Sequence, residues 1–225
     1  MIGTPRVTPQ EAWDALIAGN ERFVSGTRLH PNQEAARRTE LADMQAPDVA
    51  LFGCSDSRLA AEIIFDCGLG DLFIARNMGH VVAESIIASM EYAVTALGSS
   101  LIVVLAHDSC GAVAAAIQQS SRDPQPLPET IERTIAPIRP AVQQIWLRDH
   151  PGSPYTVPAE IDANEVGRVH LAGTVSSLLR GSRAISDAVD QGTLGIVGCQ
   201  YRLAEGRVVP YIALGPLEIP LSPLT

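Results

Sequence analysis

The sequence predicts an α/β fold: a mostly parallel central β-sheet flanked by helices, with an N-terminal helical arm and an antiparallel C-terminal edge. Three observations predict it. Unbroken apolar runs recur at 49–54 and 101–106, as strands covered on both faces require. Stretches of helical periodicity follow these runs, most clearly at 84–97, where Ile86, Ile87, Met90 and Val94 share a face, and such alternation implies a parallel sheet. Near the end, β-like runs at 193–201 and 208–212 are joined by a turn at Glu205-Gly206, too short for a crossover helix, which predicts a hairpin.

From the start of the chain, Thr8-Pro9-Gln10-Glu11 has the form of a capping box with proline in the first helical turn. A helix carrying Trp13, Leu16, Ile17 and Phe23 on one face should follow and end near Gly26. Pro31 and Asn32 make 29–33 a loop; a short helix over 34–44 should stop at the Ala46-Pro47 step. The core then runs strand 49–54, helix 60–66, strand 71–75, helix 84–97, strand 101–106 and helix 110–119. A polar, proline-rich break spans 120–128; helices at 129–148 and 160–182 flank a loop at 151–158, and 186–191 is a further short helix. Pro216, Pro220 and Pro223 predict an extended tail.

With 225 residues the chain fits a single domain, read as an arm (1–45), a core (46–212) and a tail (213–225). Sixteen Lys and Arg against 25 Asp and Glu give a net charge of −9, with the basic residues scattered, which argues against nucleic acid or an anionic membrane surface as partner. The longest strand-like apolar run, 101–106, is far short of the ~20 residues that span a bilayer. The first eleven residues show no apolar signal core, so a cytoplasmic setting is expected. In that setting Cys54, Cys67, Cys110 and Cys199 are expected as thiols or metal ligands rather than a disulfide framework.

The chemistry concentrates after two strands. Cys54-Ser55-Asp56-Ser57-Arg58 follows the first and His107-Asp108-Ser109-Cys110 the third. Ligands of open parallel sheets bind beyond the carboxyl ends of the strands, so both clusters should face one crevice. Two sulfurs and an imidazole there form the donor set that suits zinc, and Cys110 at a helix N-terminus should have a lowered pKa. Two thiolates neutralise Zn²⁺ and leave a fourth position, where a water can be acidified toward pH 7. Asp56 can either occupy that position and close the site, or be held beside it by Arg58. Cys67 and Cys199 lack such partners and read as core residues.

CSDSR followed by HDSCG at this separation resembles the β-class carbonic anhydrases. The similarity covers about 10–206 and is weakest over 120–164; it includes EAWDALIAGNERFVSG, AAEIIFDCGLGDLFIARNMGHV, SMEYAVTALG, LIVVLAHDSCGAV and GIVGCQYRLAEGRV. The resemblance implies reversible hydration of carbon dioxide to bicarbonate and a proton by a zinc-bound hydroxide. By motif match it makes Cys54, His107 and Cys110 the ligands of one Zn²⁺ per subunit. Asp56 and Arg58 match the catalytic dyad, Asp56 also matching the fourth ligand of closed forms. Gln33, Phe65, Tyr92 and Gly111 match substrate-pocket positions, and Gln33, Phe65 and Tyr92 would reach the zinc of a neighbouring subunit. A homodimer, or a tetramer built as a dimer of dimers, is implied, with the opening helix as an arm over the partner.

Two positions depart from common patterns of that family. Leu51 stands where one branch has a tryptophan associated with a non-catalytic bicarbonate site, so that site is expected to be missing. His80 stands where many members have asparagine; it can relay protons or be packed at an interface. The ligands alone do not separate carbon dioxide from carbon disulfide or carbonyl sulfide as substrate. A non-catalytic zinc protein or bicarbonate sensor is the third reading.

Overall fold

In a computed structural model describing residues 5–224, the apolar runs form the centre of one five-stranded sheet. The strands are β1 (Val49–Cys54), β2 (Leu72–Asn77), β3 (Leu101–His107), β4 (Gly195–Arg202) and β5 (Arg207–Leu214), in the order β2-β1-β3-β4-β5. The first four are parallel and β5 returns antiparallel to β4, as the hairpin reading expects. β1 and β3 are buried at every residue. Successive side chains feed two cores: Leu51, Val103, Leu105 and Val197 on one face, Ala50, Phe52, Val104 and Ile196 on the other. That two-sided burial is why these strands are unbroken apolar runs rather than alternating ones.

The helices are α1 (Pro9–Ser25), α2 (Ala35–Glu40), α3 (Ala61–Ile64), α4 (Glu84–Tyr92), α5 (Gly111–Gln119), α6 (Glu129–Ile135), α7 (Arg139–Asp149), α8 (Ala163–Gly181) and α9 (Arg183–Asp190). α1 begins with both halves of its capping box, Thr8 Oγ1 accepting from the Glu11 amide at 3.2 Å and Glu11 Oε2 from the Thr8 amide at 2.8 Å. Gly26 ends it with φ +74°, where only glycine is unstrained. Trp13 and Leu16 are buried beneath it; Ile17 and Phe23 are half-buried.

Several expected boundaries move. The helix expected over 34–44 is only Ala35–Glu40; none of its residues is buried, so no packing extends it. The helix expected over 129–148 is two helices with a tighter turn, Ala136–Ile138, between them, where Pro137 and Pro140 remove amide donors. The last turn of the helix over 84–97 widens into a π-helical turn, Ala93–Leu97, before Gly98. The segment over 120–164 closes on the core: Ile135, Ile138 and Val142 are buried, and Thr156 Oγ1 donates to the Ile117 carbonyl at 3.0 Å.

Pro210 in β5 faces Cys199 where the register shifts at Gly198/Cys199, an arrangement an edge strand tolerates. Beyond β5 the tail is extended. Its Ser222 amide donates to the Pro210 carbonyl at 3.0 Å, Glu218 N to Gln10 Oε1 at 2.7 Å, and Arg168 Nε to the Leu224 carbonyl at 2.7 Å. At the other edge, among the described residues, no strand pairs with the far side of β2. Residues 1–4 of the arm and Thr225 of the tail lie outside the described residues.

Candidate metal centre

The register of the sheet brings the two chemical segments together. Cys54 is the last residue of β1 and His107 the last of β3, adjacent parallel strands, and Cys110 caps the N-terminus of α5 three residues later. All three are buried, and one donor atom from each lies within 4.8 Å of the others. His107 Nδ1 is 2.8 Å from the Asp108 carbonyl oxygen. A carbonyl only accepts, so Nδ1 carries the proton and Nε2 presents its lone pair. That Nε2 is buried with no hydrogen-bond partner. An orphaned imidazole lone pair beside two sulfurs is the arrangement a zinc ion completes, with the His107–Asp108 contact fixing the tautomer.

The neighbouring Cys110 thiol pulls the Cys54 pKa well down against the cost of burial, with the Gly79 amide adding to the effect. Cys110 is pushed up by the same contact. The Ala112 and Val113 amides at the start of α5 lower the Cys110 pKa, as its place at a helix N-terminus predicts, against the Cys54 sulfur and burial, which raise it.

Asp56 stands beside the group without entering it, Oδ2 being 3.9 Å from His107 Nε2. Arg58 holds it bidentately, Nε to Oδ1 at 2.9 Å and Nη2 to Oδ2 at 2.7 Å, while the Arg58 amide donates to Oδ1 at 2.9 Å. Of the two arrangements the sequence leaves open, the paired one is present. The Arg58 guanidinium holds the Asp56 carboxyl well below the usual carboxylate range. Two contacts here escaped the sequence reading. Arg76 braces the CSDSR loop from β2, donating to the Cys54 and Asp56 carbonyls at 2.8 and 2.6 Å. The Gly79 amide donates to Cys54 Sγ at 3.4 Å. A basic residue at the carboxyl end of the neighbouring strand was the available signal for Arg76.

Gly111 opens α5 and is exposed; a Cβ built there would meet nothing within 4 Å. Tyr92 is 51% exposed at the end of α4. It lines an open hollow of about 660 Å³ with Leu41, Met44, Gln45 and Leu69. The hollow sits by the amino ends of the strands, near Gly70 and the start of β2, while Cys54 pairs Asn77 at the carboxyl end. From Phe73 to Asn77 the strand rises about 13 Å, so Tyr92 does not line the cysteine–histidine group of its own chain.

Phe65 is 0% exposed, in the core below α1 where Gly19 lies against its carbonyl, and it lines a small recess there with Leu16, Cys67 and Leu72. The ring beside Tyr92 is Phe73, centroids 6.1 Å apart. Gln33 is exposed on its loop and does not line the hollow; Gln45 is the amide that does. Because β-strand side chains alternate, Phe73 could have been placed on the α4 face of β2 from register alone.

His80 is 1% exposed, and burial holds its pKa well below the ordinary histidine value, which favours the packed reading over a proton relay. Cys199 is fully buried as expected; Cys67 is half-buried, its thiol pushed up to about 12 by burial and then Asp71.

Comparison with known proteins agrees with this geometry. A family model described as carbonic anhydrase matches residues 49–208. Carbonic anhydrase 2 of Mycobacterium tuberculosis is 44% identical over 208 residues, covering 91% of this chain and 94% of that protein. A carbonic anhydrase of Mycolicibacterium smegmatis is 44% identical over 204 residues, covering 91% and 94%. Among solved structures, a tetrameric β-carbonic anhydrase from Sordaria macrospora superposes with a TM-score of 0.67 at 22% identity, covering 89% of this chain and 97% of that one. With a family match over 49–208, which takes in β1 to β4, and relatives this similar along nearly their full length, the chain belongs to the β-carbonic anhydrase family.

Proposed function

We propose that the chain catalyses the reversible hydration of carbon dioxide to bicarbonate and a proton, with one Zn²⁺ per subunit held by Cys54, His107 and Cys110. The observation that carries this reading is the unpartnered, buried His107 Nε2 within 4.8 Å of two sulfurs, beside the Asp56–Arg58 pair. Bound there, zinc supplies Lewis acidity and acidifies water at its free coordination position. The residues around it do the rest. Arg58 keeps Asp56 ionised, so Asp56 Oδ2 accepts a hydrogen bond from the attacking water and orients it. Because Asp56 is turned to Arg58 and stays out of the cysteine–histidine group, it would not close a metal held there, which favours an enzyme over a permanently closed zinc protein.

The subunit pairs with a second copy, and that copy's hollow completes the carbon dioxide pocket. Met44, Leu69 and Tyr92 expose 75%, 44% and 51% of their surfaces around the hollow, the character of a surface meant to be covered. Tyr92, Leu41 and Leu69 there supply apolar walls and Gln45 an amide, as a small linear substrate needs. Gln33 and the 1–45 arm belong to the same interface, and dimers pair into tetramers. A cytoplasmic setting suits four cysteines that remain free thiols, two of which must stay reduced to hold metal.

Metal content measured alongside stopped-flow hydration tests the reading. Wild-type protein should carry one zinc per chain and turn over carbon dioxide; Cys110→Ser should lose both. Cys110→Ser with stoichiometric zinc and full rate would overturn the ligand assignment.

A further inference from the structure

The turn Met78–His80, between β2 and α4, has an unusual backbone. Gly79 has φ +71° and His80, a non-glycine residue, φ +43°. Two successive left-handed residues are not a conformation this sequence adopts unaided, so something must hold them. Asn77 braces the turn locally, its side chain donating to the Val81 carbonyl at 2.7 Å and accepting from the Val81 amide at 3.0 Å. The distant support comes from α8. His170 Nε2 donates to the Gly79 carbonyl at 2.9 Å, and Thr174 Oγ1 to the His80 carbonyl at 3.3 Å, one helical turn further on. His80 packs its ring 4.6 Å from that of His170, while both its nitrogens stay without partners. The turn is held by its carbonyls, not by the His80 side chain.

What the turn presents is the Gly79 amide, 3.4 Å from Cys54 Sγ. There is little slack around it: a Cβ at Gly79 would stand 2.7 Å from the Ala112 Cβ, in the helix that begins after Cys110. An N–H donated to a thiolate withdraws charge from the sulfur, weakening its donation to a metal and fixing its direction. We infer that His170, assisted by Thr174, is a positioning residue for the metal centre: from α8 it fixes the Met78–His80 turn so that the Gly79 amide stays on the Cys54 sulfur, setting that ligand's strength and orientation. The inference rests on the zinc reading above and assigns a role outside the ligand motifs. His170 touches neither metal nor substrate.

Cobalt(II) substitution reads the sulfur directly. Wild-type protein loaded with cobalt should show the near-ultraviolet sulfur-to-metal charge-transfer band; a wild-type protein without that band would sink the zinc reading itself, a different failure from the ones below. His170→Ala frees the Gly79 amide to drift. The resulting thiolate is richer in charge, so the band moves to longer wavelength. Because the sulfur is then no longer held in one direction, a loss that outweighs its stronger donation, zinc, followed by competition with a chromophoric chelator, should bind roughly 10-fold more weakly. His170→Gln, whose amide can restore the donor, should return both readouts toward wild type. His170 lines an open groove between α7 and α8, so water can enter the space that alanine leaves. If His170→Ala still fails to fold, Thr174→Val removes only the second donor and should shift the band the same way by a smaller amount. A folded His170→Ala, or in its absence Thr174→Val, with an unmoved band and zinc affinity within twofold of wild type overturns the inference. Lowered thermal stability alone, with the sulfur spectrum unchanged, is the signature of a packing role and counts against it.

Discussion

Removing the Asp66 carboxylate should destabilise the chain more than any other single change around the arm. Asp66 lies just after α3 with its side chain 1% exposed. It accepts from the Leu29 amide at 2.9 Å, the His30 amide at 3.0 Å and Arg22 Nε at 2.6 Å, tying α1 and the loop bearing Gln33 to the core. Breaking a buried ion pair from one side costs about 3–5 kcal/mol. Arg22 keeps 30% of its surface in water and can be partly resolvated, which places Asp66→Ala near the lower end, ~3 kcal/mol. The backbone at 66 has φ +46°, so Asp66→Gly should recover ~1 kcal/mol relative to alanine. Urea unfolding at pH 7 and fixed protein concentration measures this. Acid gives a second reading. Burial pushes the Asp66 carboxyl up, but the Leu29 amide, Arg22 and the His30 amide outweigh it and hold it at about 2, against 3.8 ordinarily. For a lowered acid the stabilisation is complete above the unfolded value and lost as pH falls through the folded one. The wild-type advantage over Asp66→Ala should therefore shrink between pH 4 and pH 2. A variant within ~1 kcal/mol of wild type at pH 7, or one with the wild-type acid slope, refutes the reasoning.

Two further expectations concern the site. Asp56→Asn should keep its zinc but lose ~10²-fold or more in hydration rate, because the amide cannot replace an ionised acceptor held by Arg58; unchanged turnover in stopped flow would show that Asp56 is structural. Met44→Lys puts a charge on the exposed rim of the Tyr92 hollow and should shift the protein toward monomer in analytical ultracentrifugation. Those monomers should retain zinc and turn over slowly; fully active monomers would show that one chain builds the whole pocket.

How legible all this was follows from where the information lies. β1 and β3 were readable to within a residue because burial on both faces forces unbroken apolar runs, and the ligands follow those strands directly. α1 was readable because Thr8, Glu11 and Gly26 write its ends into the sequence locally. α2 was overextended because no buried contact reinforces its pattern, and 129–148 was read as one helix across two prolines. Phe65 illustrates the limit at the site: its burial beneath α1, with Gly19 against its carbonyl, comes only from the fold. The Gly79–His80 turn was out of reach for another reason: its conformation depends on His170 and Thr174, about ninety residues away.

The two borders of the sheet differ in a way that bears on how copies of the chain can assemble. At the β5 border Pro210 offers no amide, and the returning tail already uses its carbonyl through Ser222. The β2 border carries no such stopper among the described residues. A ribbon that can be continued from one rim alone admits a single twofold mate and is then used up. Growth by strand addition would therefore halt at a pair, a built-in brake on fibre formation.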